Sequence, residues 1–119
     1  MRLSPNGKQL LVSLVRHLQK ARPGRPETYV TYKQIHDELR LEFLGDTYGD
    51  SLKHQGLADL AEWTKYSGYP AITGLVVSGD SRMPGHGYFE LYGRTEEEFG
   101  WWADEIAAAK AFNWTSLLS

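Results

Sequence analysis

The stretch PAITGLVVSGDSRMPGHGYFEL, Pro70 to Leu91, decides how this chain is read. Ile72 to Val77 is the most strand-like segment of the sequence, rich in β-branched residues. A run of turn-forming residues follows, Met83-Pro84-Gly85-His86-Gly87, and then Tyr88, Phe89 and Leu91 supply a partner strand. The expectation is a β-hairpin with a shaped loop at its tip. Gly79, Gly85 and Gly87 permit positive φ or the close approach of another group, and consecutive backbone N–H groups in such a turn can cradle an anion. Arg82 and His86 are the side chains placed to help, one a fixed multi-donor cation and the other a proton donor or base. The same glycines equally serve a hairpin turn that binds nothing. A phosphate-loop motif is absent, since neither the GxxxxG spacing nor the Lys-Ser/Thr ending occurs.

Downstream, GRTEEEFGWWADEIAAAKAFNW reads as the clearest helix, expected over about residues 96–114. Thr95 and Glu98 form a capping-box pattern, and three glutamates fall in the first turn, where the helix field favours them. Phe99, Trp102, Ile106 and Ala109 make its core-facing line. Trp101, Phe112 and Trp114 extend the apolar surface sideways, a place for a protein partner or self-association.

Upstream, Asp50 or Ser51 is expected to cap a helix running to about Ser67, with Leu52, Gly56, Leu60 and Trp63 in one stripe. Gly56 inside it costs about 1 kcal/mol relative to alanine, which marks either close helix packing or simple tolerance. RLEFLGDTYGD contains a turn at Gly45-Asp46. Thr31 opens TYKQ, a capping box with Gln34, and puts Ile35 and Leu39 on the buried face of a short helix. ETYVTY before it is short and β-prone. At the start, Ser4-Pro5 is an N-cap followed by proline, and Leu10, Leu11, Leu14, Val15 and Leu18 form the stripe of a helix over about 5–20. ARPGRP ends that helix at its most basic spot, with Lys20, Arg22 and Arg25. The expected architecture is α+β and winged-helix-like, with helices packed on a small antiparallel sheet. One domain spans 1–119: an N-terminal helix, a core over about 28–91 and the C-terminal helix.

Composition bounds the chemistry. A chain of 119 residues with 41% apolar and 24% charged residues can build one core unaided. The absence of cysteine excludes thiol nucleophiles, disulfides and cysteine-ligated metals. The N-terminal segment has too many polar interruptions for a signal-peptide core, and no run reaches membrane-spanning length, so a cytoplasmic location is the default. His17, His36, His54 and His86 are widely separated, so neither a metal nor a cofactor is expected. The net charge of -2 is uneven: residues 1–33 hold seven Lys/Arg against one acid, and residues 34–119 hold six against fourteen. The basic third can meet phosphate or pair with the acidic remainder.

Arg22, Arg25, Lys33, Lys53 and Arg82 are the cations a nucleic acid would meet, with Gly85, His86 and Gly87 at the loop. In a helix-turn-helix, Lys53, His54 and Gln55 fall near the start of the reading helix. Asp46, Asp50, Asp59 and Glu62 crowd that helix and repel a phosphate backbone, whereas Tyr29, Tyr32 and Tyr48 can stack on unpaired or flipped bases. An acid–base site can be drawn with His86 beside Asp80 or Glu90 and with Ser78 or Ser81 as nucleophile, but neither serine lies in a nucleophile elbow.

From Val30 to Tyr88, the order YVTYKQI, a helix pair and YPAITGLVVSGDSRMPGHGYF resembles the C-terminal winged-helix domain of O6-alkylguanine DNA alkyltransferases and the related alkyltransferase-like proteins. Thr31-Tyr32 matches the start of that family's helix, and Gly85 to Gly87 its glycine-rich loop. The resemblance implies a helix-turn-helix at the DNA minor groove and a loop closing over a flipped base. The family's Pro-Cys-His-Arg centre is missing, with PAITGLV in its place, and so is the Ala-Arg pair that opens its reading helix. Alkyl transfer is thereby excluded.

The expectation that results is a small non-enzymatic binding protein, nucleic-acid-associated or a defence-related accessory factor. A protein-interaction or inhibitor-like module using an acidic and aromatic surface is the first alternative, and a small hydrolase centred on His86 the second.

Overall fold

The computed structural model describes residues 2–118; Met1 and Ser119, the ends of the expected single domain, lie outside the described residues. Helix α1 (Pro5–Leu18) starts where Ser4 Oγ accepts from the Gly7 N–H at 3.0 Å, with proline at the first helical position. Its leucine stripe, Leu10, Leu11, Leu14 and Leu18, is buried. Strand β1 (Val30–Thr31) leads directly into α2 (Tyr32–Glu38), capped by Thr31 and Gln34 in the reciprocal bonds expected of a capping box.

The second half of the expected helix-turn-helix is built differently from the sequence expectation. Helix α3 (Tyr48–Leu52) is capped by Thr47, not by Asp50 or Ser51. A wide turn over Lys53–Leu57 separates it from α4 (Ala58–Ser67). Gly56 makes that turn at φ +121°, and a Cβ there would stand 2.7 Å from the Asn6 carbonyl carbon. Both features demand glycine: α1 rests its first turn directly on the Gly56 backbone.

The hairpin expectation fails. Ile72–Leu75 forms a tight helical turn, and only Val76–Val77 is extended, as β2. β2 pairs with β1, in parallel, with Val30 opposite Val76 and Thr31 opposite Val77. The described sheet is therefore a two-stranded parallel one, not antiparallel, and Tyr88 to Leu91 lies in helix α5 (His86–Leu91) instead of a strand. Two local bonds explain the change of course. Arg82 N–H donates to Ser78 O and Ser78 N–H to Met83 O, both at 2.9 Å, which curls the chain away from β2 after Val77. Val76 and Val77 are fully buried, as a strand covered on both faces requires.

The last long helix, α6 (Phe99–Ala111), begins later than its capping-box pattern implies. Glu98 N–H donates to the Thr95 carbonyl in a turn, so the three glutamates precede the helix instead of filling its first turn. Trp102, Ile106 and Ala109 face the core, while Phe99 is exposed. A short α7 (Thr115–Leu118) follows. The Ile72–Leu75 turn is buried and packs against α1, α4 and α6. The fold is α+β, and among the described residues no helix is long and apolar enough to cross a membrane.

Candidate functional site

A cleft of about 660 Å³ opens between α2, α3–α4 and the segment from Ser78 to Leu91. That volume suits a compact ligand or one inserted residue of a polymer. Its walls are set by the local rules already described. The Thr31 cap fixes Tyr32 at the head of α2, and the Tyr32 hydroxyl accepts from the Gly85 N–H at 2.6 Å. This bond ties the glycine-rich loop to α2 and leaves the phenolic hydrogen free for a second partner. Burial pushes the Tyr32 hydroxyl pKa up, opposed by the Gly85 bond, so the neutral form is held.

Thr47 fixes Tyr48 at the head of α3, where its ring meets His36 and Phe43 edge-on at centroid distances of 5.1 and 5.0 Å. Lys33 Nζ stands 5.7 Å from the centre of the Tyr48 ring and 2.6 Å from Asp37. Lys53 projects from the wide turn toward Gly87, where a Cβ would lie 3.6 Å from its Nζ. Tyr88 closes another side; its hydroxyl donates to Ala71 O, and burial, then the neighbouring Tyr92, Glu105 and Tyr29, hold its pKa well above the ordinary phenol value. Gly74 permits this arrangement, because a Cβ there would meet the Tyr88 ring at 2.5 Å.

The structure thus brings together Lys33, Lys53, Gly85, His86 and Gly87 of the residues singled out in the sequence. Arg22 and Arg25 lie elsewhere, bridged to each other through their backbones in the turn after α1. Arg25 Nε is 2.6 Å from Glu27, and Arg82 acts on the same carboxylate, which these cations and its own backbone hold below the ordinary acid range. Arg82 is absent from the cleft lining. His86 is largely exposed and reaches Glu96 at 3.3 Å and Glu90 at 3.4 Å; no contact to Asp80, Ser78 or Ser81 accompanies these among the described residues. Tyr29 is buried, edge-on to Trp102, and offers no stacking surface.

The aromatic surface expected on α6 is mostly closed. Trp114 is buried and donates to Ala109 O, Phe112 packs on it, and Trp101 is covered by Tyr88, Tyr92 and the Arg94 guanidinium.

The lining also holds Asp50 and Glu62, read in the sequence as repelling a phosphate backbone, Asp80, read there as a candidate partner of His86, and Thr73, which was not singled out. Among the described residues none of these three carboxylates has a hydrogen-bonded or ion-paired side chain, and neither has Lys53. A legible sign of Thr73 was its place as the one hydroxyl within the apolar run AITGLVV. No family model, no curated protein and no solved structure matches this chain.

Proposed function

We propose that this is a non-enzymatic nucleic-acid-associated protein whose cleft receives one unpaired or extruded nucleotide. The observation that carries the reading is the assembly of Tyr32, Tyr48, Lys33 and Lys53 around one cleft under the Gly85–Gly87 loop. Aromatic faces stack on any base, and flanking ammonium groups meet the adjoining phosphates. The α2 and α3–α4 pair beside β1 is what supports the winged-helix likeness; the wing itself is replaced by α5. The mixed charge of the cleft, with Asp50, Glu62 and Asp80 beside two lysines, suits a single inserted nucleotide better than a groove tracking a phosphate backbone. A cytoplasmic location belongs to the same reading.

The test is a titration of single- and double-stranded DNA and RNA at several salt concentrations. Single strands bind more tightly than duplex, with a log–log salt slope of about -1.4 if Lys33 and Lys53 each neutralise one phosphate, at roughly 0.7 per phosphate. Lys53→Gln lowers the slope by about 0.7 and weakens all sequences alike. Absence of salt-dependent binding, or a preference for duplex, overturns the proposal.

A further inference from the structure

His36, on α2, is a buried titratable side chain, 4% exposed, whose ring packs on Phe43 and on Tyr48 of the cleft wall. Its Nε2 lies 2.9 Å from the Oγ of Ser51, a fully buried residue of α3. The same Oγ accepts from the Leu44 N–H at 2.9 Å and from the Gln55 amide at 3.0 Å. A hydroxyl has two lone pairs and one hydrogen. Both lone pairs are therefore taken, and the hydrogen remains for His36 Nε2 or, at a longer 3.3 Å, for the Glu42 carbonyl. This count makes Nε2 an acceptor, which requires the neutral imidazole with its proton on Nδ1.

The Ser51 cluster is what holds segment 42–46 down. Among the described residues no backbone–backbone hydrogen bond reaches that segment. Its polar ties run from the Leu44 N–H to Ser51 and from the Glu42 carbonyl to Gln55, at 2.8 Å, and Ser51. Thr47, Tyr48, Asp50 and Lys53, which follow it in the chain, line the cleft. A second proton on the ring changes the count. Nε2 becomes a donor aimed at an oxygen with no lone pair left, so one of the N–H bonds to Ser51 must be given up. The positive charge would also be buried, which is costly without a carboxylate beside it. The surrounding elements supply none. Strand β1 carries no charged residue, and on α2 Lys33 is paired with Asp37 and Glu38 with Arg16 and His17 of α1. Arg40, Glu42 and Asp46 after α2, and Asp50, Lys53 and His54 beyond them, make no side-chain hydrogen bond or ion pair with the ring among the described residues.

We propose that His36 is an acid-sensitive latch on the cleft wall: neutral, it holds segment 42–46 and the start of α3 through Ser51, and protonated, it releases them and loosens the cleft. Opening the segment lets water reach the charged ring and breaks no backbone–backbone bond, so it is the least costly relief. The latch concerns the wall and not its occupant. It stands apart from the nucleotide-binding reading and is tested without ligand.

The experiment is NMR of the full ligand-free chain at about pH 8 and about pH 5, which bracket the range where a histidine ordinarily changes charge. At the higher pH the ring nitrogen shifts show Nε2 unprotonated and Nδ1 protonated. Between the two, the Leu44 amide loses protection from exchange by roughly five-fold or more, after correction for the intrinsic effect of pH on exchange. The Gln34 amide, held by the Thr31 cap, keeps its protection. His36→Gln places an acceptor that does not titrate at the same reach, and its Leu44 protection is equal at both pH values. An Nε2–H tautomer at the higher pH, unchanged Leu44 protection, or an equal loss at Gln34 overturns the proposal. So does a pH dependence that survives in His36→Gln; should that variant not fold, the wild-type tautomer and protection decide alone.

Discussion

Gly56 decides more of the architecture than its size suggests. Its φ of +121° is closed to other residues without strain, and the Asn6–Gly7 peptide occupies the space a Cβ would need. Gly56→Ala therefore adds backbone strain of about 1–3 kcal/mol to an overpacking cost of similar size. A fall in denaturant midpoint of that order is expected; an unchanged midpoint would mean that α1 can slide off the turn. From the sequence alone, Gly56 reads either as tolerated within a helix or as a packing contact. Composition cannot separate these, because the partner backbone lies about fifty residues away in the chain.

At the scale of elements, a carboxylate clasps α1 to α2. Glu38 accepts from Ser13 and His17 and lies 2.6 Å from Arg16. Burial pushes its carboxyl up, but the bonds from Ser13 and His17 and the charges of His17 and Arg16 outweigh this, leaving the pKa below its ordinary value of 4.5. A depressed folded pKa means that the stabilisation is present above the ordinary carboxylate range and is lost as pH falls through the folded value. Glu38→Gln should accordingly cost about 1–2 kcal/mol at neutral pH, and the difference from wild type should vanish in acid. Urea melts at neutral pH and below pH 4 check this; a pH-independent difference would contradict it.

Elements also show what a sequence pattern carries and what it does not. The Ser4-Pro5 start and the Thr31–Gln34 box are closed by neighbours within a few residues, so their spacing fixes them. The failure of the β-hairpin expectation was not legible, because the edge of β2 is claimed by β1, a strand remote in sequence, and the aromatic pair Tyr88-Phe89 is drawn into α5 by packing on Trp101 and Trp102. Likewise the Thr95–Glu98 pattern closes a backbone turn and not a helix cap. Tyr32, Lys33, Lys53 and the 85–87 loop were visible as residue types. Their convergence depends on the Tyr32–Gly85 bond, which no local pattern announces.

At the scale of the whole molecule, folding pairs some of the cations with carboxylates. Arg16 pairs with Glu38, Arg25 with Glu27, Lys33 with Asp37 and Arg94 with Glu98, and Lys110 is turned onto the carbonyls of Leu18 and Ala21. Arg22 and Arg25 are absent from the cleft lining, and the proposed contact contracts to the cleft between α2, α3–α4 and the Ser78–Leu91 segment. Amide chemical-shift mapping of the full chain with a single-stranded oligonucleotide tests that localisation directly. The account predicts shifts concentrated at residues 32–33, 47–53, 78–80 and 85–88, with α6 and the Arg22–Arg25 turn unaffected. Shifts centred on α6 or on that turn, or none at all at saturating oligonucleotide, would contradict it.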